Sequence, residues 1–202
     1  LRNVLLAGKI MVEIGLTRAK RRKFGPQIVD TVRHNLVTLV SNGLLTPRER
    51  SDAADALSML KDPRPGVGLI DGLPHIKWVP VSKGPFIMGS DQVKDEDSEE
   101  DETPQFTCHL IDRDFEISRY PITVSQYRAF IQDNGYNQEG YWTDEGRQWR
   151  IKGDVRKPEV YPGVFQLENH PQVGVSWYEA VAFCNWLSQK SGETITLPTE
   201  VQ

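Results

Sequence analysis

The chain has 202 residues, 38% of them hydrophobic and 26% charged, with a formal net charge of −4. That length holds one sizeable domain or two small ones, and that composition excludes a disordered or fibrous chain. No apolar run approaches the roughly 20 residues that a membrane-spanning helix requires.

Charge is unevenly spread. Residues 1–74 carry 12 Lys/Arg against 7 Asp/Glu, whereas residues 75–202 carry 12 against 21, which points to two modules with different surfaces. Because Leu1 rather than Met stands first, further chain is expected before it, and the lack of a leader carries no weight on export. Cys108 and Cys184 lie far apart without a CxxC or Cys/His spacing. They form neither a zinc motif nor a disulfide framework, which fits a reducing, cytoplasmic setting.

Helical readings open the chain. Residues 3–16 are rich in Leu, Val and Ile. The run Arg18 to Lys23 is basic, but lacks the interleaved aromatics of a nucleic-acid reader, so it is taken as a solvated or partner-facing surface. Gly25-Pro26 then starts a helix whose Ile28, Val29, Val32, Leu36, Leu39 and Val40 keep helical spacing up to Asn42-Gly43. Thr46-Pro47-Arg48-Glu49 is a capping box that starts another, with Ala53, Ala56, Leu57 and Leu60 as its buried stripe. The stretch from Lys61 to Pro74 is dense in Pro and Gly and marks the boundary. Three parts are therefore expected: a helical module over 1–60, a linker over 61–77, and a second domain over 78–202.

The second domain opens with short apolar strands at 78–81 and 86–89 around the turn 82–85. Residues 91–102 hold eight carboxylates and the single Lys94, which reads as a solvated loop rather than a calcium site, since the glycine of a calcium loop is missing. Strands are expected at 105–111 and 115–118. Thr123 and Gln126 start a helix that ends at Asn134-Gly135. Residues 136–168 read as a long aromatic, Gly-rich loop. Ser176-Trp177-Tyr178-Glu179 forms another capping box, and its helix buries Ala180, Val181, Cys184 and Leu187. A strand is expected to begin at Ile195-Thr196-Leu197.

These segments form a series: FIMGSD (86–91), DETP (101–104), FEISRYPITVSQYRAFIQDNGY (115–136), NHPQVGVSWYEAVAFCNWLS (169–188) and ITLPTE (195–200). The series resembles the sulfatase-modifying-factor family, which includes the formylglycine-generating enzymes. The resemblance covers residues 78–202 and implies an α+β, C-type-lectin-like domain, incomplete at its C-terminus and preceded by the small all-helical module. The segment ERSDAADALSMLKDPRPGV in that module resembles a HEAT-type repeat.

In the catalytic members of the family, the copper-binding cysteine pair and the calcium ligands follow the LPTE motif. The resemblance therefore places copper and calcium beyond Gln202, assigns no catalytic residue and no cofactor within this chain, and gives Cys184 a structural role. Ser176, Trp177, Glu179, Cys184 and Trp186 are its structural motif. The scattered His34, His75, His109 and His170 lack the spacing of the iron-binding helical domain found in the related sulfoxide synthases. The reading that follows is a recognition module of a larger bacterial, multidomain signalling or defence protein. Its expected partner is a protein or peptide, held by Tyr141, Trp142 and Trp149, with a completing C-terminal segment, no nucleic acid and no membrane. The alternative is a copper-dependent formylglycine-generating oxidase whose cysteines lie outside this chain.

Overall fold

The computed structural model describes residues 1–202. Four helices form the N-terminal part: α1 (Arg2–Ile14), α2 (Leu16–Lys20), α3 (Gly25–Ser41) and α4 (Pro47–Met59). Their apolar stripes meet in one core, where Val29, Leu36, Leu57 and Leu60 are fully buried. Each such side chain contributes about 1.5–3 kcal/mol of transfer free energy. The basic run from Arg18 to Lys23 straddles α2 and the turn after it.

The box at Thr46 forms as its spacing predicts. Thr46 Oγ1 accepts from the Glu49 amide, while the Thr46 amide donates to Glu49 Oε2 at 3.1 Å. These bonds from the Thr46 amide and hydroxyl, followed by Arg2 Nε at 2.8 Å, hold the Glu49 carboxyl down at about 2. The folded value lies below the ordinary 4.5, so the stabilisation is complete above pH 4.5 and is lost as pH falls towards 2. Acid melting of the N-terminal helices followed by circular dichroism is expected to show this dependence, and Glu49→Gln is expected to flatten it. Identical acid profiles for both proteins would contradict the assignment.

The Pro/Gly-rich stretch is strapped down rather than loose. It carries the short antiparallel pair β1 (Leu69–Ile70) and β2 (Leu73–Pro74). Arg64 pairs with Asp62 at 2.6 Å, both largely buried, and its guanidinium lies 5.5 Å from the centre of the Tyr120 ring. Gln126 is fully buried and its side-chain amide donates to the carbonyls of Gly66, Gly68 and His75 at 3.0–3.3 Å. Thr123 Oγ1 donates to Val67 O at 2.9 Å.

In the second domain β3 (Trp78–Val81) pairs with β6 (Phe115–Ser118), and β4 (Phe86–Met88) with β5 (Phe106–Cys108), both antiparallel. The turn at 82–85 therefore joins two separate ribbons instead of closing one hairpin. The helices α5 (Val124–Gln132) and α7 (Trp177–Ser191) build the core with α6 (Asp144–Lys152) at its side. That core is aromatic: Phe130 packs edge-on to Phe183 and tilted against Trp186, with ring centres 6.0 and 5.6 Å apart. Gly135 is required there because a Cβ would meet the Phe130 ring at 2.1 Å.

Two expectations are corrected. The stretch 136–168 is not an unbroken loop, since α6 and two 3₁₀ turns interrupt it. Thr143 caps α6 by accepting from the Gly146 amide at 3.0 Å, with Asp144 and Glu145 in the first turn and Arg150 and Lys152 in the last. Residues 195–197 form no strand, because Ser188 Oγ engages both the amide and the carbonyl of Ile195 and folds the chain back on α7.

The two parts meet along residues 168–170. Asn169 Nδ2 donates to Ala54 O at 3.0 Å and to Asp62 Oδ2 at 2.8 Å. His170 Nε2 lies 2.8 Å from Asp55 Oδ1, and Lys61 pairs with Glu168 at 2.8 Å. The same segment forms the bridge between Pro171 and Thr123, so α4 grips the strip from which α5 starts.

Candidate functional site

An open cleft of about 780 Å³ lies between α6, the strap 154–160 and the N-terminus of α7. Trp149 of α6 forms one wall, 5.5 Å from the Tyr178 ring. The strap supplies Arg156, Lys157 and Glu159 to the other wall, and Ser176 reaches it from the cap of α7. A hydrogen bond from the Glu159 amide to Gly174 O, at 2.9 Å, fixes the strap. Gly174 has φ of 72°, and a Cβ there would meet Glu159 O at 2.3 Å, so only glycine lets the two backbones approach.

Behind the cleft sits a buried polar knot. Glu179, 2% exposed, accepts at Oε2 from the Ser176 amide and hydroxyl, both at 2.8 Å. Its other oxygen accepts from the Tyr136 hydroxyl. Tyr136 in turn lies 3.2 Å from the Tyr127 hydroxyl. Burial pushes both phenols well above the ordinary tyrosine range, so they remain neutral donors. With both oxygens engaged, Glu179, which also lines the cleft, holds the start of α7 in place.

Of the aromatic residues expected to contact a partner, the structure places Trp149 on the cleft wall. Tyr141 and Trp142 lie in the core, 9% and 5% exposed, and Trp142 Nε1 donates to Gly135 O at 3.0 Å. Within the capping motif, Ser176 caps α7, Trp186 is buried and donates to Asp133, and Trp177 is 63% exposed. Strap residues Arg156, Lys157 and Glu159 escape sequence reading because their proximity to Trp149 depends on the Gly174 contact, which has no local pattern.

Both cysteines are free and buried, Cys108 on β5 and Cys184 on α7. Burial pushes the Cys184 thiol up to about 11, opposite to the depression that activates a thiolate. No three His, Cys, Asp or Glu side chains converge as metal ligands would. In the acidic stretch, Lys94 pairs with Asp91 at 3.0 Å, and residues 95–102 are mostly exposed. No helix is long and apolar enough to cross a membrane.

A sulfatase-modifying factor enzyme 1-like domain matches residues 73–202. Hercynine oxygenase of Mycolicibacterium thermoresistibile is 30% identical over 150 residues, covering 68% of this chain and 32% of that protein. Formylglycine-generating enzyme of Thermomonospora curvata is 30% identical over 148 residues, covering 61% of this chain and 46% of that protein. Serine/threonine-protein kinase pkn1 of Chlamydia caviae is 27% identical over 124 residues, or 60% of this chain and 18% of that protein. The chain thus spans about a third of the length of the hercynine oxygenases it matches.

Proposed function

The chain belongs to the family of sulfatase-modifying factor enzyme 1-like domains, and from that premise we propose that it is the recognition part of a larger bacterial multidomain protein. The fold proposed for residues 78–202 is C-type-lectin-like, mounted on a HEAT-like helical module, in a cytoplasmic protein. The partner proposed is a protein or peptide segment lying along the cleft, with Trp149 as its aromatic anchor. One observation carries this reading: the cleft is walled by Trp149 and a charged backbone strap, while the carboxylate behind it is consumed by structural bonds. Such a wall is suited to contact. The kinase relative, in which the match covers 18% of the protein, supports a role as one part among several.

One relative, the formylglycine-generating enzyme of Thermomonospora curvata, favours a second reading, a copper-dependent formylglycine-generating oxidase. The residues present do not fit copper: the two thiols are unpaired and buried, and Cys184 is held protonated. In that reading copper and calcium would be held by a further segment of the domain. Such a segment would also cover Ile87, which faces solvent on the β4–β5 ribbon.

Selection from a phage-displayed random peptide library, followed by anisotropy titration of the selected peptides, tests the first reading. Trp149→Ala is expected to weaken their binding about thirtyfold, the equivalent of losing an anchor worth about 2 kcal/mol. Undiminished binding by the variant would sink the recognition reading. Formylglycine formed in a sulfatase-type peptide by this chain with copper, read by mass spectrometry, would establish the oxidase instead.

A further inference from the structure

A second cavity, of about 490 Å³, adjoins the Trp149 cleft and shares Asp154, Val155 and Arg156 with it. Its polar lining comes from Asn137, Arg150, Asp154 and Arg156. Arg150 is held in place from behind, its guanidinium 5.4 Å from the centre of the Trp142 ring. Trp142 is itself fixed in the core by its bond to Gly135. The buried Nε of Arg150 has no hydrogen-bond partner. The carboxylate on the same lining, Asp154, pairs with Arg156 at 3.0 Å. One cation is therefore left over: the Arg150 guanidinium forms no ion pair within the protein, and its outer nitrogens are the donors a ligand oxyanion would engage.

We infer that this cavity is a carboxylate subsite that takes an acidic residue of a peptide lying in the neighbouring cleft. Arg150 supplies the charged donor and Asn137, whose amide nitrogen also donates to Asn134 Oδ1 at 2.6 Å, an uncharged one, while Arg156 stays paired with Asp154. The planar guanidinium fixed against Trp142 suits the flat, two-oxygen geometry of a carboxylate. The inference rests on the cleft reading above and deepens it, because the shared strap 154–156 places an acidic side chain one step from the Trp149 wall.

The probes are acetyl-Glu-Glu-amide, its acetyl-Gln-Gln-amide counterpart and inorganic phosphate, each titrated into the ¹⁵N-labelled full chain. The Nε–H signal of Arg150 is expected to shift saturably with the Glu peptide and to stay put with the Gln peptide. Arg150→Gln is expected to weaken Glu-peptide binding at least tenfold, read at the Trp149 indole signal, while Arg150→Lys retains part of it. Retention of the native near-ultraviolet circular dichroism in both variants separates a lost subsite from a lost fold. Equal shifts with the Gln peptide, or no shift of the Arg150 signal at millimolar peptide, would overturn the subsite. Phosphate acting as strongly as the Glu peptide would overturn the assignment to a peptide carboxylate. An Arg150 shift with no change at Trp149 would keep the subsite and sink the cleft reading, so the two fail separately.

Discussion

Glu179→Ala is expected to destabilise the second domain by about 3–5 kcal/mol, the range seen when one member of a buried charged network is removed. The carboxylate accepts three hydrogen bonds while 2% exposed. Its loss leaves the Ser176 amide without its acceptor and the Tyr136 hydroxyl with only the Tyr127 hydroxyl at 3.2 Å, and an unsatisfied buried group costs about 1–3 kcal/mol. Ser176→Ala removes the cap to the Glu179 amide and one of the three bonds to the Glu179 carboxylate, and is expected to cost about 0.5–2 kcal/mol. The capping-box pattern alone implies the reverse order, with Glu179 as the lesser, reciprocal half. Denaturation midpoints of the two variants decide the matter: a smaller loss for Glu179→Ala than for Ser176→Ala would contradict the buried network.

Gln126→Leu is expected to cost about 3 kcal/mol and to free the segment 61–77 from the domain. The side-chain amide donates to three carbonyls of that segment, and its oxygen accepts from the Thr123 amide at 2.9 Å. Leucine fills similar space but leaves several buried backbone groups without partners, each costing about 1–3 kcal/mol. Limited proteolysis is expected to cut the variant between residues 61 and 77 at protease levels that spare the parent. An uncut variant with an unchanged midpoint would show that the segment is held by something other than Gln126.

What was legible in the sequence followed local rules. The helices starting at Thr46, Thr123 and Ser176 form at the predicted caps, because a capping box is complete within four residues. The series of motifs likewise pointed to the family whose domain matches residues 73–202. The α6 helix was masked by its aromatic, Gly-containing surroundings, although Thr143-Asp144-Glu145 is an ordinary helix start. The polar contacts were not legible. Nothing near Gln126 announces that it will gather carbonyls some sixty residues upstream, and nothing near Asn169 announces the grip of α4. The cleft depends on such long-range contacts throughout: Trp149 was visible as an aromatic, but its partners across the opening were not.

The two buried thiols give this protein internal clocks. Cys108 sits on β5 and Cys184 in the middle of α7, and neither reaches solvent appreciably while its element is in place. A thiol-reactive probe can label each only during an opening event, so labelling rates at rising probe concentration report local unfolding of the ribbon and of the helix independently. Because burial pushes the Cys184 thiol up to about 11, the closed state also holds little of the thiolate needed for reaction. The sequence thus carries two spectroscopically silent reporters, placed so that occupation of the cleft beside α7 should slow the second clock and leave the first running at its own rate.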